Sequence, residues 1–167
     1  RLDKARTDFE GDEIQASLAQ RRADGEAVGA GLGFFVEKSG LGPTDKVLVE
    51  ADAGGRIRVI CGASNLGQGV VTVLAQICAG TLGVDYADID VVHGRTDAID
   101  EGYGSHASRT TVMTGEATRV AAKALGEKLV SLAATRLQAK VASVEIVGKI
   151  ARNRDTGASI ALADVAG

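Results

Sequence analysis

Two glycine-rich segments of the chain carry residue types that could bind a phosphorylated or anionic ligand. The first is the turn from Gly62 to Gly69, which contains Ser64, Asn65 and Gln68 and leads directly into an apolar helical pattern. The N-terminus of a helix exposes unpaired backbone N–H groups and the positive end of the helix dipole, and glycines let a ligand approach the backbone closely. The turn is therefore a candidate anion-binding site.

This turn departs from the common nucleotide-binding motifs. The spacing of Gly62 and Gly67 matches the first part of a phosphate-binding P-loop, but Gln68 and Gly69 stand where that motif requires Lys and Ser or Thr. The turn therefore gives no support to nucleotide hydrolysis. A purely structural alternative is a tight turn in which Ser64 or Asn65 caps the following helix.

The second segment runs from Gly102 to Thr111 and precedes a long helical pattern. It combines several hydroxyl side chains with the imidazole of His106 and the guanidinium of Arg109. A guanidinium fork beside backbone donors matches the geometry of a phosphate, so the two segments could hold a pyrophosphate if they meet at one edge of a sheet. The structural alternative is a helix cap formed by Ser108 or Thr110.

Other residue types give little indication of a site. His93 and His106 are the only histidines and lack partners at metal-ligand spacing, so we expect no metal held by protein side chains. Cys61 and Cys78 lie among apolar residues, where free cysteines act as small core side chains. No apolar run reaches the length of a membrane span, and a net charge of −3 gives no basic surface for nucleic acid. We expect a cytoplasmic protein that neither spans a membrane nor binds nucleic acid.

The hydrophobic pattern predicts the elements that position the two segments. Helical spacing predicts a helix over Phe9 to Arg22 and a second one that begins after Gly69 and ends at Gly83. The apolar, glycine-interrupted run from Ala27 to Val36 predicts a buried strand. The clearest hairpin joins Lys46–Ala51 to Arg56–Cys61 through a glycine-containing turn.

The second half of the chain continues the mixture of strands and helices. The further predicted elements are a strand from Ile89 to His93, a polar loop from Gly94 to Arg109, a long helix from Thr110 to about Lys140 with a candidate break near Gly126, strands at Val144–Ile150 and Ser159–Leu162 around a hairpin turn, and a helix beginning near Ala161. The length suits one domain. The predicted fold class is α+β, in which a mixed β-sheet with hairpins packs against two main helices.

Both glycine-rich segments also belong to a longer series of motifs that resembles the large subunit of the molybdenum hydroxylases. This family includes xanthine dehydrogenase, aldehyde oxidase and carbon monoxide dehydrogenase. The resemblance covers about residue 20 to the end, with the motifs in order. They are Gly31-x-Gly33, Phe35-Val36-Glu37, Gly40-x-Gly42-Pro43, Gly67-Gln68-Gly69-x-x-Thr72, Ala75-Gln76-Ile77, Leu82-Gly83-Val84, Gly94-x-Thr96-Asp97, Gly102-x-Gly104, Ser108-Arg109-x-Thr111 and Gly115-x-Ala117.

The resemblance implies a molybdopterin-binding region of an oxidoreductase that hydroxylates aldehydes or N-heterocycles, or oxidises carbon monoxide, with water as the oxygen source. It implies that Gln68 approaches an oxo ligand of molybdenum. The cofactor-binding residues that it assigns are Gln68, Gly69, Val70, Thr72, Ser105, His106, Ala107 and Ser108. It also implies the cytosine dinucleotide form of molybdopterin, and partner subunits or domains that carry iron–sulfur clusters and FAD.

The same resemblance limits what the chain does alone. The family's catalytic glutamate lies beyond the position that matches Gly167, and the loop that shapes its substrate pocket lies before Arg1. We therefore expect residues 1–167 to be a single fragment, truncated at both ends, that is inactive without the rest of the large subunit and holds no cofactor tightly. Val70 stands where some members have His, which removes one polar contact to the cofactor. A non-catalytic assembly module and a phosphate-ligand-binding domain remain alternative functions.

Overall fold

The computed structural model describes residues 2–31, 33 and 35–167, apart from the side chains of Leu2 and Arg6. The chain divides into two compact units, Arg1–Val36 and Glu37–Gly167. Over the part of the chain so described, no helix is both long enough and apolar enough to cross a membrane.

The first unit contains two helices, α1 (Leu2–Asp8) and α2 (Gly11–Ala23). The sequence predicted α2 to within about two residues at its start and one at its end. Acidic residues lie in its first turn and Arg21 and Arg22 in its last, which suits the helix dipole. The chain leaves the helix through Gly25, whose φ of 87° is left-handed.

The strand predicted for Ala27–Val36 is wrong for the residues that the structure describes. These have no regular secondary structure, and the side chains of Phe35 and Val36 are 82% and 89% exposed. Leu32 and Phe34 lie outside the described residues. The glycines at 29, 31 and 33 explain the failure, because glycine loses the most backbone entropy on folding and offers no side chain to pack.

The second unit begins with a mixed three-stranded sheet. Strands β1 (Val47–Ala51) and β2 (Ile57–Cys61) form the predicted antiparallel hairpin. After β2 the chain crosses through helix α3 (Val70–Leu82) and returns as β3 (Ile89–His93), parallel to β2. The sheet order is β1-β2-β3. The sequence predicted all four elements.

Helix α4 (Gly115–Arg136) packs against α3, and a π-helical turn, Thr110–Thr114, precedes it. The predicted helix from Thr110 to Lys140 is therefore confirmed over most of its length, without a break at Gly126. A Cβ on Gly126 would lie 3.2 Å from Cδ2 of Leu82, so this glycine allows the two helices to approach closely. The core between sheet and helices contains Ile57, Val59, Cys61, Val70, Leu74, Cys78, Leu82, Ile89 and Ala122.

A second, antiparallel sheet follows α4. Its strands are β4 (Val144–Val147), β5 (Ile150–Asn153) and β6 (Ser159–Ala161), and helix α5 (Leu162–Ala166) comes last. The single strand predicted for Val144–Ile150 is wrong, because the chain reverses at Gly148, whose φ is 58°, so that β4 pairs with β5. The predicted α+β class, with hairpins and two main helices, is confirmed.

The side-chain caps considered for α3 and α4 are not formed. Gly69 occupies the cap position of α3 with a left-handed φ of 78°, and no side chain caps the helix. Arg109 precedes the π-helical turn, also without a side-chain cap. Of the residues offered as caps, Ser64, Asn65, Ser108 and Thr110, none caps a helix with its side chain, and Asn65 instead accepts the N–H of Gly67 within the turn. At its far end α3 stops at Gly83, as the sequence predicted.

Candidate functional site

The topology brings the two glycine-rich segments to one edge of the first sheet. Strands β2 and β3 are parallel, and their last residues, Cys61 and His93, are paired. The turn from Gly62 to Gly69 follows β2, and the loop from Gly94 to Arg109 follows β3. Loops at the carboxyl ends of adjacent parallel strands are a common place for ligand sites.

The backbones of the two segments touch at a pair of glycines. A Cβ placed on Gly62 would lie 2.3 Å from Cα of Gly102 and 2.4 Å from the carbonyl oxygen of Glu101. No side chain fits in such a contact. Glycine is therefore required at this point for packing, beyond any need for an unusual φ.

A serine hydroxyl adds a polar bridge between the segments. The Oγ of Ser105 donates to the carbonyl oxygen of Ser64 at 2.7 Å and accepts the N–H of Ser64 at 3.2 Å. One side chain of the second segment thus satisfies both backbone groups of a residue in the first. The two segments are joined at the point where Ser105 enters the site.

Gln68 lies on the same turn with its amide already engaged. Its Oε1 accepts the backbone N–H of Leu66 at 2.6 Å, and its Nε2 donates to the carbonyl oxygen of Ser64 at 2.8 Å. The flanking residues Gly67 and Gly69 both have left-handed φ angles, 95° and 78°. The side chain is exposed, so its amide remains accessible to a ligand.

A cavity of about 510 Å³ lies between the two segments. Ligand pockets commonly measure about 300 to 1,000 Å³. The residues that line the cavity are Ser39, Leu66, Gln68, Ser105, His106, Ala107, Ser108, Arg109, Thr110, Thr111 and Val112. The cavity offers hydroxyl, amide and imidazole groups as hydrogen-bond partners.

The structure separates the predicted site residues into two groups. Gln68 and the run from Ser105 to Ser108 line the cavity together. Gly69, Val70 and Thr72 do not line it. The side chain of Val70 is only 2% exposed and belongs to the core, while Thr72 is exposed on the first turn of α3.

The cofactor-binding residues that the resemblance assigns leave out several residues of the cavity wall. Only the position of Leu66 and Ser39 near glycine motifs could have indicated that they belong to the site. Thr110, Thr111 and Val112 lie in the π-helical turn that was predicted as ordinary helix. Such turns occur frequently at functional sites, but their position is not visible in a helical hydrophobic pattern.

The second segment has a constrained backbone beside the cavity. Ala107 and Ser108 are consecutive non-glycine residues with left-handed φ angles of 47° and 48°. Left-handed backbone at such residues costs about 1 to 2 kcal/mol each. The carbonyl oxygen of Ala107 accepts the N–H of Gly40 at 3.1 Å, which helps to hold this conformation.

Arg109 secures the end of the loop from inside the protein. Its side chain is fully buried; Nη2 donates to the carbonyl oxygen of Thr44 at 2.8 Å and lies 3.8 Å from Oδ2 of Asp45. The guanidinium carbon lies 5.2 Å from the centre of the Tyr103 ring. Within the described residues, Nε and Nη1 have no hydrogen-bond partner. Part of the fork that suggested a phosphate ligand is therefore used internally.

Asp45 connects this buried cation to the start of α4. Its Oδ2 accepts the hydroxyl of Thr114 at 2.5 Å, and its side chain is 2% exposed. The acidic partner compensates the charge of Arg109 without solvent. The second segment is thus held to residues 44 and 45 at its end and to Ser64 near its middle.

Metal binding by side chains alone finds no support in this region. In the described ranges, no group of three or more His, Cys, Asp and Glu residues is arranged to hold a metal ion. The donor set, neutral hydroxyl and amide groups with backbone N–H groups nearby, suits an oxygen-rich organic cofactor.

The fold and the cavity define an α+β domain in which two loops at one edge of the first sheet line a common cavity. The family model described as molybdopterin cofactor-binding domain matches residues 4–167, and the chain belongs to that family. The assignment predicted from the glycine motifs is therefore confirmed. Its residues also fit the group, because the cavity is large enough and Arg109 retains unpartnered buried donors beside it.

Curated relatives and solved structures agree with this family. The chain is 42% identical over 145 residues to 6-hydroxypseudooxynicotine dehydrogenase complex subunit gamma of Paenarthrobacter nicotinovorans, covering 87% of this chain and 18% of that protein. It is 33% identical over 131 residues to the carbon monoxide dehydrogenase large chain of Afipia carboxidovorans, covering 72% and 16%. Quinoline 2-oxidoreductase from Pseudomonas putida 86 superposes with a TM-score of 0.68 at 28% identity, covering 97% and 22%.

The chain therefore spans about a fifth of the length of these relatives. Both curated relatives are named as one subunit or chain of a larger enzyme. A structure of the Cu,Mo-containing carbon monoxide dehydrogenase gives the same TM-score of 0.68 over 98% of this chain. The likeness thus extends over both loops of the cavity.

Proposed function

We propose that this chain supplies two loops of the molybdopterin site in the large subunit of a molybdenum-dependent oxidoreductase. The substrates that we propose are aldehydes, N-heterocycles or carbon monoxide, with water as the oxygen source. The observation that carries the proposal is the shared cavity of Gln68 and the Ser105–Ser108 run. Two segments that are far apart in the sequence line this cavity together. The chain also belongs to a family that is described as binding the molybdopterin cofactor.

The residues of the cavity have distinct proposed tasks. Gln68 presents an amide to the cofactor, and the imidazole of His106 and the hydroxyl of Ser108 hold its polar edges. Ser105 contributes through the turn, because its hydroxyl bonds both backbone groups of Ser64. Gly69, Val70 and Thr72 contribute through the backbone and first turn of α3, since they lie outside the cavity wall. When bound, the molybdenum centre supplies the two-electron oxidation; this chain's residues bind and orient it.

We propose the cytosine dinucleotide form of the cofactor and partners that carry iron–sulfur clusters and FAD. Support comes from the motif resemblance and from relatives named as a subunit of a complex and as the large chain of an enzyme. We further propose that the rest of the large subunit provides the general base, so that residues 1–167 are inactive alone. A cytoplasmic location suits the two buried free thiols, Cys61 and Cys78, because thiols persist in reducing compartments.

The test is the Gln68→Ala substitution in the complete enzyme that carries this chain. We expect substrate oxidation to fall about tenfold or more, as for other groups that orient a metal centre, with the fold intact by circular dichroism. Gln15→Ala, on the exposed face of α2, is the matched control. An unchanged oxidation rate and molybdenum content in Gln68→Ala would remove the proposed role of this residue.

A further inference from the structure

We propose that Ser105 is a positioning residue for Gln68: its hydroxyl fixes the Ser64 peptide group, and that group orients the Gln68 amide so that an N–H donor faces the cavity. Only the identity of the group that the Gln68 amide contacts rests on the function proposed above. The orientation itself follows from hydrogen bonds between the two segments.

The amide of Gln68 has only one orientation that satisfies its turn. Oε1 must face the N–H of Leu66, and Nε2 must face the carbonyl oxygen of Ser64, at 2.6 Å and 2.8 Å. Exchanging the two atoms would place donor against donor and acceptor against acceptor. Nε2 has two hydrogens, and the bond to Ser64 uses one. The second has no partner among the residues that the structure describes, on a side chain that lines the cavity.

The acceptor that sets this orientation is itself held by Ser105. The carbonyl oxygen of Ser64 accepts both the Ser105 hydroxyl at 2.7 Å and Nε2 of Gln68 at 2.8 Å, one for each lone pair. The same hydroxyl oxygen accepts the N–H of Ser64 at 3.2 Å. Bonds to both backbone groups of one residue restrict rotation of the peptide units on either side of it.

This restraint matters because the turn has little rigidity of its own. Gly67 and Gly69 flank Gln68, and glycine has access to a wide range of backbone angles. Asn65 Oδ1, which accepts the N–H of Gly67 at 3.1 Å, holds the turn locally. Ser105 supplies the bonds that fix its central peptide to the neighbouring loop.

The consequence is a selective site. A group that meets Gln68 in the cavity must accept a hydrogen bond, so an oxygen with lone pairs is favoured over an N–H or O–H donor. A glutamate at position 68 would lose the donor that faces Ser64 and repel its carbonyl oxygen. Without the Ser105 hydroxyl, the Ser64 backbone would lose its bonds to the neighbouring loop, and the amide that it orients would be held less firmly.

Nuclear magnetic resonance of the 167-residue chain tests the arrangement without cofactor. The side-chain amide signals of Gln68 are assigned by their loss in Gln68→Glu. We expect Ser105→Ala to move them toward the values of an exposed glutamine such as Gln15, and Ser105→Thr, which keeps the hydroxyl, to restore them. Ser108→Ala removes a hydroxyl from the same loop and is expected to leave them in place. Unchanged Gln68 signals in a folded Ser105→Ala chain overturn the proposal.

A double-mutant cycle in the complete enzyme tests the functional part. We expect Ser105→Ala to lower kcat about tenfold and to have almost no further effect in a Gln68→Ala background, because it acts through that amide. If the two substitutions lower kcat by independent factors that multiply in the double variant, the positioning role of Ser105 is overturned. If instead Gln68→Ala leaves catalysis unchanged while the resonance shifts occur, the role of Gln68 in the proposed function fails, and the positioning of its amide by Ser105 stands.

Discussion

Gly62 and Gly102 bring the turn after β2 and the loop after β3 into direct backbone contact. A Cβ on Gly62 would lie 2.3 Å from Cα of Gly102, and a Cβ on Gly102 would lie 2.7 Å from Cα of Gly62. Because the obstructing atoms are backbone, neither contact can relax by a side-chain rotation. The pair therefore sets the distance between the two loops and the width of the cavity beside them.

Gly62→Ala is expected to force these loops apart. Overpacking against well-ordered neighbours costs about 1 to 3 kcal/mol, and a contact this short lies at the upper end. Gly80→Ala is the matched control, since Gly80 lies inside α3 and its added Cβ would meet nothing within 4 Å. It should stabilise the helix by about 0.5 to 1 kcal/mol. Urea unfolding of both variants gives the comparison; equal stabilities would contradict the close contact.

Asp45→Ala is expected to destabilise the protein strongly, because it leaves the buried guanidinium of Arg109 without a charge partner. Removing one member of a buried pair typically costs about 3 to 5 kcal/mol. Glu116→Ala, which breaks the exposed pair with Arg119, should lower the stability far less, because solvent screens that pair. Thermal unfolding of the two variants distinguishes them, and a small effect at Asp45 would show that Arg109 is adequately solvated.

The sequence was most informative where local pattern and topology agreed. The hairpin of β1 and β2, helix α3 and its Gly83 stop follow from alternation, helical spacing and a glycine cap, and each is present. The run from Ala27 to Val36 was misread because apolar composition outweighed its glycines. Gly148 was read as part of a strand, although a glycine within a strand pattern is also a mark of a reversal.

The site could be predicted in part for a similar reason. Parallel pairing of Cys61 with His93 brings the loops together, and a strand–helix–strand pattern already suggests that arrangement. The burial of Arg109 could not be predicted from the sequence, because it depends on contacts with the distant residues Thr44 and Asp45. The bond between Ser105 and Ser64 spans a sequence separation of 41, which no local pattern encodes.

Alkaline pH is expected to destabilise the folded chain through a buried thiol. Burial raises the pKa of Cys78 from its ordinary value of 9.0 to about 12. As pH rises above 9 the unfolded chain loses this proton first, so the folded state binds more protons and its stability falls between pH 9 and about 12. In urea unfolding at several pH values above 9, the free energy of unfolding should fall more steeply with pH in the wild type than in Cys78→Ala. The difference in slope is expected to reach about 1.4 kcal/mol per pH unit.

Cys61→Ala provides the comparison for that experiment. Burial also raises the pKa of the Cys61 thiol, but a backbone hydrogen bond from Ala63 lowers it in part. The loss of pH dependence should therefore be smaller in Cys61→Ala than in Cys78→Ala. Identical slopes for wild type and Cys78→Ala above pH 9 would show that the Cys78 thiol is solvated when folded.

The 167-residue chain, purified from cells that synthesise molybdopterin, is expected to retain far less than one molybdenum per chain. Tight sites bury about 70 to 90% of a ligand's surface, whereas the Gln68, His106 and Ser108 side chains that line this cavity are exposed. Two loops alone should therefore bind the cofactor more weakly than micromolar, about −8 kcal/mol. Elemental mass spectrometry measures the content, with the complete large subunit as the control. Stoichiometric molybdenum in the chain would show that these two loops suffice to hold the cofactor.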